Sequence, residues 1–170
     1  MYLDASTVDV TDVTLTGNTA VGGASRIAGG PTAGGGAYLR RVTSAQPWTR
    51  VSITGNRATG ASGYVESESV GHDGIEYWYF YGGGGFGGGL YVTDSSRPIQ
   101  LLQSQVTGNT AVGGLIAGGE GRHEAEGGGV FGPVEVLDYD PADWGGNTPD
   151  AMTPCPTGWS GDACDSQEAL

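Results

Sequence analysis

The sequence predicts an all-β fold, a parallel β-helix (solenoid) of about seven short coils. Two observations carry this prediction. The octapeptide TGNTAVGG occurs twice, at residues 16–23 and 107–114, and glycine makes up 34 of the 170 residues without a collagen-like period. Such a glycine content indicates a backbone that turns tightly many times. Helical periodicity is absent along the whole chain, which is long enough to enclose one core.

Two short motifs alternate along the chain. The first ends in asparagine three places after an apolar residue, at 15–18, 53–56, 106–109 and, in degenerate form, 144–147. The second is a glycine triplet before a small or apolar residue and an aromatic one, at 34–38, 87–91 and 127–131. Leu15 and Gly34 are 19 residues apart, and each triplet precedes the next asparagine motif by 19, 19 and 17 residues. An interval of about 19 residues predicts one coil of a β-solenoid.

Both motifs have the residue types that the corners of a coil need. Glycine and asparagine tolerate the positive φ of a tight corner. An asparagine repeated at the same corner of successive coils can hydrogen-bond its neighbours and so satisfy buried amides. We therefore predict a structural ladder, with no chemistry of its own, of Asn18, Asn56, Asn109 and Asn147.

The segments between the motifs are typical of short β-strands. Residues 8–15, 50–53 and 99–106 are rich in Val, Ile and Thr and are bounded by Gly, Asn or Pro. Residues 1–3 align with residues 37–39 and 90–92, immediately after a glycine triplet, so the chain begins inside a repeat. We expect either a fragment of a longer array, which we favour, or a first coil that a neighbouring subunit completes.

Over residues 1–150, the alternating motifs resemble the polymorphic outer-membrane protein repeats of chlamydiae and related secreted bacterial β-helix proteins. The resemblance implies a right-handed β-helix at the cell surface, with a role in adhesion or envelope structure. The chain departs from that family pattern because Leu, Ile, Val or Trp stands where the family has Phe. No autotransporter barrel follows the repeats, so the family's route of export is not implied.

One interval is longer than the others and indicates an insertion. Ile53 and the next triplet at Gly87 are 34 residues apart, and the excess lies in residues 61–86. Insertions in repeat proteins commonly form a binding face. The aromatic run in this insertion could seal the side of the solenoid, contact a protein partner or stack on a glycan. Its residues are Tyr77, Trp78, Tyr79, Phe80 and Tyr81.

The final residues, 151–170, differ in character from the repeats. CPTGWSGDAC, from Cys155 to Cys164, resembles the last disulfide hairpin of an EGF-like module. Because the chain has no other cysteine, we expect these two to form a disulfide, which implies an oxidising compartment. The sequence thus predicts a secreted protein, located outside the cell or at its surface, with a cysteine-hairpin tail.

Charge limits the partners of the chain. The net charge is −12 and all seven cations are arginine, which argues against nucleic acid. No apolar run reaches the roughly 18 residues of a membrane helix. Residues 1–12 hold three Asp, residues 13–65 hold five Arg and no acid, and residues 120–170 hold eleven acids and one Arg. This polarity predicts that copies associate head to tail, and head-to-tail contacts that do not close into a ring produce an open filament.

Candidate chemistry is sparse. Asp138, Asp140 and Asp143 could supply oxygen ligands for a structural Ca²⁺, although a solvated acidic loop explains them as well. No arrangement of residues predicts a catalytic site. The sequence therefore predicts a non-enzymatic, secreted structural or adhesive protein without a cofactor. The alternative is a β-helix that binds or cleaves glycans through the aromatic and acidic insertion.

Overall fold

The computed structural model describes residues 1–23, 30–62, 68–70, 76–78, 83–115, 125–149 and 152–153. These residues form an all-β structure of five parallel sheets, one antiparallel strand pair and one short 3₁₀ helix. The strands are short because each ends at a corner after two to four residues.

The strands are, in chain order, β1 (Tyr2–Asp4), β2 (Thr14–Thr16), β3 (Thr19–Val21), β4 (Thr32–Ala33), β5 (Ala37–Arg40), β6 (Trp48–Thr49), β7 (Ser52–Thr54), β8 (Arg57–Thr59), β9 (Glu68–Val70), β10 (Glu76–Trp78), β11 (Gly85–Phe86), β12 (Leu90–Thr93), β13 (Ile99–Leu102), β14 (Gln105–Thr107), β15 (Thr110–Val112), β16 (Ala125–Glu126), β17 (Val130–Phe131), β18 (Val134–Val136) and β19 (Met152–Thr153). The 3₁₀ helix spans Pro141–Trp144.

Each parallel sheet collects strands from successive stretches of the chain. Sheet I contains β4, β11 and β16; sheet II contains β1, β5, β12, β17 and β19; sheet III contains β6, β13 and β18; sheet IV contains β2, β7 and β14; sheet V contains β3, β8 and β15. The chain visits the sheets in this order and then returns to sheet I. We call one such traversal a pass. The described residues make four passes, the first entering at sheet II, and β19 begins a further one.

The predicted repeat of about 19 residues, and with it the count of about seven coils, is wrong. Asn18 bonds to Asn56, 38 residues away, and Asn56 bonds to Asn109, 53 residues away. The second, third and fourth passes therefore each contain both motifs, one asparagine corner and one glycine triplet, and the first contains the asparagine corner alone. The expected alignment of residues 1–3 is confirmed, since Tyr2 pairs with Tyr38 and Tyr38 with Tyr91.

The core is an apolar column that runs through the passes. Alternation within each strand places one residue inward and its neighbours outward, as in Ser52–Thr54, where only the central Ile53 is buried. Burying one such side chain contributes about 1.5–3 kcal/mol. The largest fully buried side chains are Trp48, Trp144, Leu39, Ile53, Leu90, Ile99, Leu101, Val42, Val51, Val92 and Val106.

Two predicted boundaries change. β11 pairs with β4 and β16, so the end of the predicted insertion 61–86 belongs to sheet I. β19 pairs with β17, so the start of the predicted tail 151–170 belongs to sheet II.

A membrane-spanning helix needs about 20 apolar residues, and no helix among the described residues meets that requirement.

Candidate functional site

The structure brings the four predicted asparagines into one row. The Oδ1 atom of Asn109 accepts hydrogen bonds from the backbone N–H and the Nδ2 of Asn56, both at 2.9 Å. The Nδ2 of Asn109 in turn donates to the Oδ1 of Asn147 at 3.0 Å and to the carbonyl of Ile53 at 2.8 Å. Asn56 and Asn109 are 1% and 0% exposed. Each inner asparagine thus satisfies polar groups that water cannot reach.

The two ends of the asparagine row differ. Asn18 is exposed, and no donor among the described residues reaches its Oδ1 atom. At the other end, the Nδ2 of Asn147 donates to the carbonyls of Val106 at 2.7 Å and Trp144 at 2.8 Å. The Nδ2 of Asn147 thus bonds to carbonyls and not to a further asparagine, so the row ends there. At Asn18 the row ends with a side-chain oxygen that accepts no hydrogen bond from a described residue.

The glycine triplets face the asparagine row across each pass. A Cβ atom on Gly36 would lie 3.1 Å from Cγ of Asn56, and one on Gly89 would lie 3.0 Å from Cγ of Asn109. Successive triplets also bond to each other, with Gly36 N–H donating to the carbonyl of Gly88. The backbones of successive triplets and the asparagine corner approach so closely here that a residue with a Cβ atom would not fit. This contact explains why both motifs occur together in the second, third and fourth passes.

Two further corners carry positive φ without glycine. At the first, Ala5, Arg41 and Asp94 have φ of 47°, 53° and 55°. At the second, Asp12, Arg50 and Gln103 have φ of 56°, 53° and 50°. Sequence reasoning missed both corners because none of these residue types, apart from aspartate, favours a left-handed backbone.

We expect Gln103→Gly to raise the free energy of unfolding by about 1 kcal/mol, since glycine adopts the left-handed region without the Cβ clash. Urea denaturation measures the change. Gln100→Gly, in the extended backbone of β13, is the matched control and should lower stability. If both variants are destabilised equally, the left-handed corner at residue 103 is contradicted.

The three aspartates of residues 1–12 do not form a free acidic end. Asp4 pairs with Arg40 at 2.7 Å and with Arg41 at 2.9 Å, and Asp12 pairs with Arg50. The hydrogen bonds from Arg40 and Arg41 lower the pKa of Asp4 to about 2. Three of the arginines that were expected to create a lengthwise polarity therefore join the first pass to the second.

Acid should weaken this junction. The folded pKa of Asp4 lies near 2, below the unfolded value of about 3.9. The stabilisation is thus complete above about pH 4 and is lost as the pH falls toward 2. Denaturation between pH 5 and pH 2 should show a loss of stability that is smaller in Asp4→Asn. An identical loss in the variant would show that Asp4 does not contribute.

The described part of the chain is interrupted between sheets V and I in three successive passes. The described residues on either side of the gaps are Gly23 and Gly30, Ser62 and Gly83, and Leu115 and Ala125. Gly30 N–H donates to the carbonyl of Gly23 at 2.9 Å, and Gly83 N–H donates to the carbonyl of Ala61 at 2.9 Å.

The predicted aromatic contact residues lie in the second of these intervals of the sequence, between Ser62 and Gly83. β9 and β10 form an antiparallel pair there, in which Tyr77 pairs with Ser69 and Trp78 with Glu68. Tyr79, Phe80 and Tyr81 lie outside the described residues, as do Cys155 and Cys164. A different aromatic group, which the sequence reasoning did not identify, lies on sheet II. There the rings of Tyr2, Tyr38, Tyr91 and Phe131 stack at centroid distances of 5.4, 5.0 and 5.2 Å.

The structure does not bring Asp138, Asp140 and Asp143 together as the expected Ca²⁺ ligands. Asp138 accepts from the backbone N–H of Gln103 at 2.8 Å. Asp140 caps the 3₁₀ helix by accepting from Ala142 N–H at 2.9 Å. Among the described residues, no group of three or more His, Cys, Asp or Glu side chains could hold a metal ion. Backbone N–H groups bond to the first two carboxylates.

The described residues line three clefts on the outside of the passes. One of about 330 Å³ is lined by Arg50, Gln103 and Asp143 among others. Two adjoining clefts of about 300 and 270 Å³ share Ser44, Ala45 and Arg97. None of these clefts has the convergent nucleophile, base and oxyanion donors of a hydrolytic site among its lining residues.

Comparison of the chain with protein-family models, with curated proteins and with solved structures found no match.

Proposed function

We propose that the chain is a secreted, non-enzymatic structural or adhesive module, folded as a right-handed parallel β-helix, that assembles head to tail with further copies. The observation that carries the proposal is the repetition of one set of contacts: sheets I to V are parallel, and their strands pair with their counterparts in the next pass. Such a body extends along one axis and ends in open strand edges. The right hand of the helix is what the family resemblance implies.

The exposed apolar residues support association through the ends. The large hydrophobic side chains that are exposed among the described residues are Met1, Tyr2, Val21, Leu115, Leu137 and Tyr139. All but Leu115 belong to the first or the fourth pass, and Tyr2 and Val21 are 62% and 68% exposed. Apolar side chains beside the outermost strands of a sheet are a common basis for self-association.

Charge favours head-to-tail over head-to-head contact. In the described part of the first two passes, Asp4, Asp9 and Asp12 are balanced by four arginines. The described part of the fourth pass holds five acids and no arginine. Contact between two fourth passes would therefore bring uncompensated like charges together. At the other end, Asp4 and Asp12 of the first pass are paired with arginines of the second. Because the asparagine row is closed at Asn147, strand edges rather than this row would form the junction.

Negative-stain electron microscopy of the purified chain, with sedimentation velocity, tests the assembly. We expect fibres that grow by roughly 19 Å per copy, which is four passes at about 4.8 Å each. Val21→Lys, on the edge strand β3, should abolish them, and Leu115→Lys should not. Monomers at every concentration, or fibres that persist in Val21→Lys, would contradict head-to-tail assembly.

A glycan- or protein-binding role is the second candidate. The observation that favours it is that residues 24–29, 63–82 and 116–124 fall between sheets V and I in the chain order of three successive passes, and insertions at equivalent places of a repeat protein commonly form a binding face. If the chain proves monomeric, binding to a glycan array that is lost in Trp78→Ala would support this role. Equal binding by wild type and variant would oppose it.

A further inference from the structure

A groove crosses all four passes between sheets II and III. It comprises the two adjoining clefts of about 300 and 270 Å³. We name it the Arg97 groove, after the arginine that lines both clefts. Passes lie about 4.8 Å apart, so the groove extends over roughly 15 Å. The residues that characterise it are Thr7, Thr43, Ser44, Ser96, Arg97 and Glu135.

One wall of the groove is held in place by a carboxylate. Asp9 accepts hydrogen bonds from Ser44 Oγ at 2.8 Å, Ala45 N–H at 3.0 Å and Gln46 N–H at 3.2 Å. These hydrogen bonds lower the pKa of Asp9, and the bond from Ser44 has the largest effect. The carboxylate is therefore ionised at neutral pH. The turn that separates the two clefts is thus fixed before any ligand arrives.

Arg97 differs from the other arginines that the structure describes. Arg40, Arg41 and Arg50 bind carboxylates, and Arg57 donates to the hydroxyl of Thr59. Arg97 is exposed, and it has no hydrogen bond or ion pair with another described residue. Its guanidinium therefore faces both clefts with its donors available to a ligand.

We propose that the Arg97 groove binds an acidic oligosaccharide, with a sugar carboxylate on Arg97 and sugar hydroxyls on the threonines and serines of the walls. A guanidinium matches a planar carboxylate with two parallel hydrogen bonds. The Ser44 hydroxyl donates to Asp9 and so offers a sugar hydroxyl its lone pairs. The hydroxyls of Thr7 and Thr43 bond to each other at 3.1 Å and keep one O–H between them, and that of Ser96 can donate and accept. The inference is independent of the proposed assembly.

The groove suits a sugar chain better than a peptide. Extended peptides bind by adding a strand to a free sheet edge. Here Thr7 and Thr43 already pair with each other as a parallel bridge. The lining side chains of low polarity are Ala45 and Pro98, which offer no pocket for an apolar anchor.

Isothermal titration with an oligogalacturonide of defined length tests the proposal. Its methyl ester, which has the same hydroxyls but no charge, is the matched ligand control. Arg97→Gln should weaken binding of the acid about tenfold or more, because hydrogen bonds to charged groups contribute about 1.5–3 kcal/mol. Arg57→Gln, on sheet V, should bind as the wild type does, and Glu135→Gln should bind about threefold more tightly because a like charge is removed.

Circular dichroism melts confirm that each variant is folded. Three results would overturn the proposal: no binding of the oligogalacturonide, equal binding of its methyl ester, or unchanged binding by folded Arg97→Gln. Tighter Arg97-dependent binding of a sulfated oligosaccharide or of an acidic peptide would also overturn it, by assigning the groove to another ligand.

Discussion

Replacing Asn109 by alanine is expected to lower the free energy of unfolding by about 4 kcal/mol. The side chain accepts from the backbone N–H and the Nδ2 of Asn56 and donates to the carbonyl of Ile53. Its removal leaves these groups without partners where water does not reach them, at a cost of about 1–3 kcal/mol for each unsatisfied group. Urea denaturation monitored by circular dichroism measures the loss.

Asn18→Ala is the matched control for this variant. Asn18 is exposed, and its side chain donates one hydrogen bond to the Oδ1 of Asn56. That Oδ1 also accepts from the backbone N–H of residue 18, and this second bond remains in the alanine variant. We expect this change to cost about 1 kcal/mol or less. Equal losses at the two positions would mean that the buried part of the row contributes no more than its exposed end.

The second large effect is expected from Gly88→Ala. A Cβ atom at this position would lie 2.4 Å from the carbonyl oxygen of Gly128 and 2.4 Å from the carbonyl carbon of Thr110. Both atoms are backbone, so neither a rotamer change nor a local shift makes room. We expect a loss of about 3 kcal/mol or more, at the upper end of what overpacking costs.

Gly145→Ala supplies the comparison. A Cβ atom there meets nothing within 4 Å, and φ is −76°, which alanine adopts freely. Stability of this variant should stay within about 0.5 kcal/mol of the wild type. If Gly88→Ala is equally stable, the backbone of Gly88 does not lie as close to the carbonyl groups of Gly128 and Thr110 as the structure places it.

The sequence predicted the asparagine row better than the path of the chain. Identical words at residues 16–23 and 107–114 identify equivalent corners because the same backbone geometry requires the same residues. The repeated octapeptide does not predict how many corners one pass contains. The glycine triplet and the asparagine motif were interpreted as equivalent marks of successive coils, but they face each other within one pass.

Other features left no readable signal. The left-handed backbone at Arg50 and Gln103 follows from stacking on equivalent corners above and below, which overrides the local preference of the residue. The aspartates of the first pass stand in a separate stretch of the sequence from the arginines of residues 13–65. Their pairing with Arg40, Arg41 and Arg50 depends on which passes adjoin, and a linear charge pattern does not contain that information.

The exchange rates of side-chain amide protons, followed by ¹⁵N–¹H NMR in D₂O, test the central claim that the passes stack on an asparagine row. The Nδ2 protons of Asn56 and Asn109 bond within the buried row, so they should exchange far more slowly than those of Asn18. Retention of the Asn56 and Asn109 signals after the Asn18 signal has gone is the predicted result. Loss of all three at the rate of an unstructured asparagine would contradict the stacked architecture.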